Sequence, residues 1–256
     1  MIYWKIYPKS TLGHWVALSV KRVASGIKGF DELIQGGFPR NTVNLISGPA
    51  GSVKSLFALQ YFYTSSKDED TPGLFLALEE NRSNIERAMK DFNMDLKTKE
   101  EEGKLFLFDL GEIRTKKNAQ NKRLLMGFSE LQDFLDDFLS VKEAKRLVID
   151  SISALGLYYR TSEDLREEMF AFTRFLREKA MTSLLVSESI EGQGLTRYGI
   201  EQFLADSFIV LGLEDIKGTL RRFITIRKMR FTEHNTAKHL LLIGKDGIEV
   251  SSERII

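Results

Sequence analysis

Five short apolar runs, each nearly unbroken, constrain this chain most: VNLIS (43–47), GLFLAL (73–78), KLFLFD (104–109), RLVID (146–150) and SLLVSES (183–189). A strand with one wet face alternates apolar and polar residues. An unbroken run has both faces covered, as in a parallel sheet. Helix signals lie between the runs. Ser83 and Glu86 are spaced as a capping box ahead of Ile85, Met89 and Phe92. Ser129 precedes Leu131, Phe134, Leu135, Phe138 and Leu139 on one helical face, and Thr161 and Asp164 precede Leu165, Met169, Phe172 and Leu176. Strand–helix alternation of this kind predicts an α/β fold with a mostly parallel central sheet flanked by helices.

The tail changes character. SFIVLG (207–212), RRFITIRK (221–228) and KHLLLIG (238–244) read as strands with short polar connections, and KDG at 245–247 reads as a hairpin turn, so the sheet is expected to end in antiparallel strands. The economical organisation is an N-terminal extension, residues 1–22, followed by one domain, residues 23–256. Lys plus Arg (37) nearly balances Asp plus Glu (36), which disfavours a globally basic nucleic-acid-binding protein. Cysteine is absent, excluding disulfides, thiol catalysis and cysteine-ligated metals. The first twenty residues carry Lys5, Pro8 and Lys9 and lack the apolar core of a signal peptide, and no apolar run is long enough to span a bilayer. The expectation is a cytoplasmic protein without membrane contact.

After VNLIS comes GPAGSVKS (48–55), then a helix-like LFALQYF. The template G-x-x-x-x-G-K-[ST] between strand and helix makes a phosphate cradle: successive backbone N–H groups face the anion at a helix N-terminus, the lysine pairs with terminal phosphate oxygens, and the hydroxyl holds Mg²⁺. Gly48, Lys54 and Ser55 fall on the template, with Pro49, Ala50, Gly51, Ser52, Val53 and Leu56 completing the nucleotide-binding segment. Val53 stands where the template has glycine, so a branched Cβ crowds the phosphate approach; in helical φ/ψ its backbone is allowed and its N–H still faces the anion. The plain alternative is a Gly/Ser turn. Asp150 ends RLVID and is positioned to reach the Mg²⁺ shell, though many buried strands end in a capping Asp. Glu79 and Glu80 follow GLFLAL; adjacent carboxylates at a strand end can orient and deprotonate water, or simply start a helix.

Taken in order, KRVASGIKGFDELIQGGFPRN, GPAGSVKS, FLALEENRSNI, RLVIDSISAL, ESIEGQGLTRYGIEQFLAD and RKMRFTEH resemble the signature segments of the KaiC-like branch of the RecA/RadA ATPases, over about residues 21–250. The resemblance implies a RecA-like fold binding ATP and Mg²⁺, with Lys54 on phosphate, Ser55 and Asp150 at the metal, and Glu79 and Glu80 as the catalytic glutamate pair. It also implies that Lys228 and Arg230 enter the neighbouring subunit's ATP site in a homo-oligomeric ring or filament. By pattern alone, ITIRKMR reads equally as the exposed face of a strand. Three positions depart from the family: Val53 and Phe231 stand where it has glycine, and Ser189 stands where the clock branch has arginine.

Recombinases of the superfamily grip single-stranded DNA through loops matching residues 155–163 and 190–199 here. Tyr159, Arg160, Arg197 and Tyr198 could stack bases and contact phosphate, or the tyrosines could simply pack. The run RTKKNAQNKR (114–123) has five basic residues and no acid, which reads as a solvated loop or a phosphate grip. Tyr3, Trp4, Tyr7 and Trp15 suggest an extension that packs on a surface. His14, His234 and His239 have no metal-ligand spacing. Three functions fit: a slow oligomeric ATPase in regulation or DNA repair, a module of the same fold whose Val53 loop no longer turns over ATP, and a recombinase paralogue binding single-stranded DNA or a protein partner.

Overall fold

The computed structural model describes residues 20–66, 71–111, 127–190 and 192–255. The aromatic residues of the extension, His14 and the basic run 114–123 lie outside them. Two short strands, β1 (Arg22–Val23) and β2 (Phe38–Pro39), pair antiparallel beside the main body. The central strands follow as β3 (Val43–Gly48), β4 (Gly73–Ala77), β5 (Leu105–Asp109), β6 (Arg146–Asp150), β7 (Thr182–Glu188), β8 (Ser207–Ile216), β9 (Thr219–Met229), β10 (His239–Gly244) and β11 (Gly247–Arg254). Among the described residues they form one sheet of order β11-β10-β9-β8-β3-β7-β6-β4-β5. From β8 to β5 every pairing is parallel; from β8 to β11 every pairing is antiparallel.

The helices are α1 (Lys54–Ser65), α2 (Arg82–Lys90), α3 (Leu96–Glu101), α4 (Phe128–Val141), α5 (Ser153–Gly156), α6 (Ser162–Glu178) and α7 (Glu201–Leu204). The unbroken runs have a simple physical origin. Successive residues of a strand point to opposite faces, and here each face has its own core. Ile46, Phe75, Val148 and Leu184 join the apolar cluster that includes Phe57 and Tyr61 of α1. Leu45, Leu74, Leu147 and Leu185 join the other, with Leu131 and Leu135 of α4 and Phe172 and Leu176 of α6.

The helix boundaries correct two expectations. α2 is capped by Asn81 rather than Ser83: the Asn81 side chain accepts the Asn84 N–H at 2.9 Å, and the Ser83 hydroxyl donates to that same oxygen. Glu86 turns instead to Arg82, one turn back (2.7 Å). α4 is capped at Gly127, whose N–H is held by Glu130 at 2.8 Å, two residues ahead of Ser129. Thr161 caps α6 as expected, accepting the Asp164 N–H at 3.1 Å. The turn between β10 and β11 is Lys245–Asp246, with Gly244 opposite Gly247. Among the described residues no helix is long and apolar enough to cross a membrane.

Candidate nucleotide site

In a parallel sheet all carboxyl ends lie at one edge, where ligands of such folds bind. The register aligns four of them. Gly48 at the end of β3 is opposite Glu188 at the end of β7, and Ala77 of β4 is opposite Asp150 of β6. Lys54, Ser55, Glu79, Glu80, Asp150 and Glu188 therefore line one cavity of about 310 Å³, although 96 positions separate Lys54 from Asp150 in the chain. The structure thus brings together the sequence-derived lysine, hydroxyl and carboxylates.

Segment 48–53 makes a tight loop into α1. A Cβ on Gly48 would lie 2.4 Å from the Leu211 carbonyl oxygen, and Gly51 has φ +79°. The Pro49 carbonyl accepts from the Ser52 hydroxyl (2.7 Å) and the Lys54 ammonium (2.9 Å), so the lysine folds back over its own turn. Arg222 of β9 braces the loop from outside through the Gly51 carbonyl at 2.9 Å.

Val53 does not take helical φ/ψ. It lies in the left-handed region at φ +66°, ψ +31°, where a β-branched residue is strained and glycine is at home. Its side chain packs against the α1-side apolar cluster and is not part of the cavity lining. Crowding of the anion's seat, the concern raised by the sequence, is replaced by backbone strain. Phe231 repeats the theme, with φ +60° and an exposed ring. Both positions where the family has glycine are left-handed here.

Electrostatics set the character of the cleft. Desolvation pushes the Asp150 carboxyl up to about 6, against the opposing pull of the Ser55 hydroxyl bonded to it and of the Lys54 ammonium; Glu79 and Glu80 push it further up. Although part of Asp150 faces the cavity, protein crowds its carboxylate on most sides. Burial lowers the Lys54 pKa, and Glu188, Asp150 and Glu79 counter that shift. Glu79 is oriented by the Ser151 hydroxyl at 2.8 Å. Ser55 and Asp150 are adjacent hard oxygen donors, the type Mg²⁺ takes alongside phosphate oxygens. Among the described residues no cluster of three His, Cys, Asp or Glu side chains forms a self-sufficient metal cage. That donor set fits a nucleotide-borne Mg²⁺ better than a resident metal.

Sequence reasoning missed Glu188, Ser151 and Arg222. Glu188 was legible as an acid ending a buried strand, the same signal that marked Asp150. Arg222 gave none, because its proximity to Gly51 depends on the β8–β9 pairing.

Lys228 and Arg230 lie elsewhere. Phe208 pairs with Lys228 and Ser207 with Met229, placing them at the amino end of β8, one length of β3 (about 17 Å at ~3.3 Å per residue) from their own phosphate loop. The Lys228 ammonium is half-buried on the carbonyls of Gln202 (3.2 Å) and Ala205 (2.5 Å), so it is not a freely solvated strand residue. Tyr159 and Tyr198 are packing residues in this structure. The Tyr159 hydroxyl accepts the Phe128 N–H at 2.8 Å with its ring stacked on Phe128, and the Tyr198 hydroxyl donates to the Ser153 carbonyl at 2.7 Å. Arg160 and Arg197 are exposed.

The sheet order, the loop at the end of β3 and the acids on neighbouring strand ends define a P-loop protein of RecA-like architecture. Comparison with known proteins makes this specific: the family described as "ATPase: KaiC" matches residues 23–255, and the chain belongs to that family. It is 30% identical over 236 residues to the circadian clock oscillator protein KaiC of Prochlorococcus marinus, covering 92% of this chain and 46% of that protein. The chain thus spans about half the length of the clock relatives it matches. It is 32% identical to the UPF0273 protein MJ1359 of Methanocaldococcus jannaschii, over 93% of this chain and 99% of that one. Among solved structures, the KaiC-like protein PH0186 of Pyrococcus horikoshii superposes with a TM-score of 0.78 at 36% identity, covering 91% and 99% of the two chains.

Proposed function

We propose that this chain binds Mg-ATP in the cleft at the carboxyl ends of β3, β7, β6 and β4 and hydrolyses it slowly at the interfaces of a homo-oligomer. The carrying observation is the composition of the cavity. Among the described residues that line it, Lys54 is the sole cation, against Glu79, Glu80, Asp150 and Glu188. A triphosphate entering such a cleft needs more positive charge than this described lining supplies. Mg²⁺ would supply part of it, neutralising charge on the phosphate oxygens, and would be held by Ser55 with Asp150. Lys228 and Arg230 of a neighbouring copy supply the rest, since they are too far from their own loop to serve it.

In this reading Lys54 leaves the Pro49 carbonyl for the terminal phosphates, and the loop amides up to Val53 hold the anion. Glu80 and Glu79, the latter fixed by Ser151, orient water and take its proton. A second cavity of about 520 Å³ beside the loop, lined by Pro49, Ala50, Leu211, Leu213 and Phe223, offers apolar walls for a purine base. The nucleotide-inert alternative loses ground because the half-buried Val53 side chain packs against the apolar cluster and does not line the cavity. The single-strand reading would rest on Arg160 and Arg197 alone, because both tyrosines are engaged.

Calorimetric titration with Mg-ATP tests the binding half. Micromolar binding is expected, with loss of at least about tenfold in Lys54→Ala; no heat with the native chain defeats the proposal. Release of phosphate by the native chain, with Glu80→Gln binding normally but turning over at least about a hundredfold more slowly, tests the catalytic half.

A further inference from the structure

The cleft leaves unused a second ion cluster at the opposite end of β3. Asp206, with a side chain only 8% exposed, joins α7 to β8. One carboxylate oxygen accepts the Val43 N–H at 3.0 Å and the Arg177 Nε–H at 3.1 Å. The other accepts a terminal N–H of Arg230 at 3.0 Å, and the Asp206 carbonyl accepts the Arg230 backbone N–H at 3.0 Å. Arg177 is anchored independently on the Leu204 carbonyl at 2.8 Å. Arg230 itself is half exposed.

Building on the interface reading above, we propose that Asp206 is the positioning residue for Arg230 as that arginine reaches a neighbouring copy's triphosphate. A guanidinium carries five N–H groups in a rigid fork. Asp206 grips one edge and leaves the rest of the fork toward solvent, where a phosphate can meet it. An ordinary buried Asp–Arg pair would hold the arginine back, because removing it strands an uncompensated carboxylate. Here Arg177 and the Val43 amide, both on the other carboxylate oxygen, compensate the Asp206 charge, so Arg230 can stay gripped by one edge and share the rest of its charge with a phosphate. Arg177 thus compensates the charge, Asp206 aims, and Arg230 delivers.

The discriminating experiment is complementation across the interface. Asp206→Asn is expected to bind Mg-ATP with an affinity within about threefold of native, since Lys54, Mg²⁺ and the neighbour's Lys228 still meet the triphosphate, yet to hydrolyse it at least about tenfold more slowly, a fraction of what an arginine finger contributes. Lys54→Ala, inactive for want of a phosphate lysine, keeps its own Arg230 correctly aimed. Doubly tagged assemblies containing both variants should therefore regain turnover, as Lys54→Ala subunits serve the intact pockets of Asp206→Asn. Should Asp206→Asn not fold, Asp206→Glu keeps both charge pairs, displaces Arg230 by one methylene and should show the same pattern.

Native turnover in the folded Asp206 variant, beside an inactive Arg230→Ala, overturns the assignment and leaves the interface reading standing. So does a slow variant that mixed assemblies fail to rescue while the same mixing rescues Arg230→Ala. A native chain without turnover, or an active Arg230→Ala, defeats the interface reading and this assignment together.

Discussion

Val53 and Phe231 are two of the seven non-glycine residues at positive φ among the described residues, and a β-branched or bulky aromatic side chain disfavours that backbone conformation. Phe231 at φ +60° has its ring in solvent, so little packing offsets the strain. Phe231→Gly is expected to raise unfolding stability by about 1 kcal/mol, the left-handed penalty less the extra entropy of an unfolded glycine, readable from the denaturant midpoint. Val53 differs because its methyls pack against the core. Val53→Gly should change Mg-ATP affinity less than about threefold, since no side-chain atom leaves the phosphate seat; a large gain on titration would show that crowding operates after all. Asp150 carries a different tension. With its folded pKa raised to about 6 against about 3.9 unfolded, the folded state keeps a proton that the unfolded state has released. Stability from this group therefore falls as pH rises from about 4 to about 6 and stays low above. Asp150→Asn should stabilise the nucleotide-free chain by the order of 2 kcal/mol at pH 7.5, after allowance for the solvent reaching the carboxylate, and by almost nothing at pH 4. Thermal melts at the two pH values check the sign.

Among the elements, α1 has two tasks, and they depend on opposite ends. Its first turn presents Lys54 and Ser55 to the cleft. One face farther along, buried Gln60 donates to the Ile248 carbonyl at 3.0 Å and accepts the Ile248 N–H at 2.6 Å, tying the helix to edge strand β11. Unpaired sheet edges invite association with other chains, so this bond pair also protects a boundary of the sheet. Gln60→Ala would orphan a buried donor and acceptor together, and a loss of about 2–3 kcal/mol is expected in denaturant titration. At α6 only one cap bond is at stake, and Thr161→Ala should cost about 1 kcal/mol.

At the scale of the whole molecule, two charged clusters among the described residues lie at opposite ends of β3. The carboxyl end of the parallel strands is acidic around Lys54, and the amino end gathers Arg177, Lys228 and Arg230 about a single Asp206. Opposed faces of this kind suit head-to-tail contacts between copies, which close into rings or continue as filaments. Light scattering should show a mass above that of the monomer, increased by Mg-ATP and reduced by salt as screening weakens the contact between faces. A monomeric mass at low salt with saturating Mg-ATP would speak against this arrangement.

The alternation of two buried faces was written in the runs from Val43 to Glu188, because a strand covered on both sides is mostly apolar on both. That the 48–55 loop, Asp150 and the Glu79–Glu80 pair stand at strand ends was equally legible, since each follows directly on an apolar run. The caps at Asn81 and Gly127 were misplaced, because several nearby residues can accept the same amide and only the path of the chain selects one. Tertiary structure alone decided that Val53 bends left-handed and turns its methyls to the core, that Arg222 braces Gly51, and that Asp206 gathers Val43, Arg177 and Arg230. These relations depend on strand order and crossover, which bring distant positions within 3 Å, and a linear pattern holds no record of which distant positions will meet.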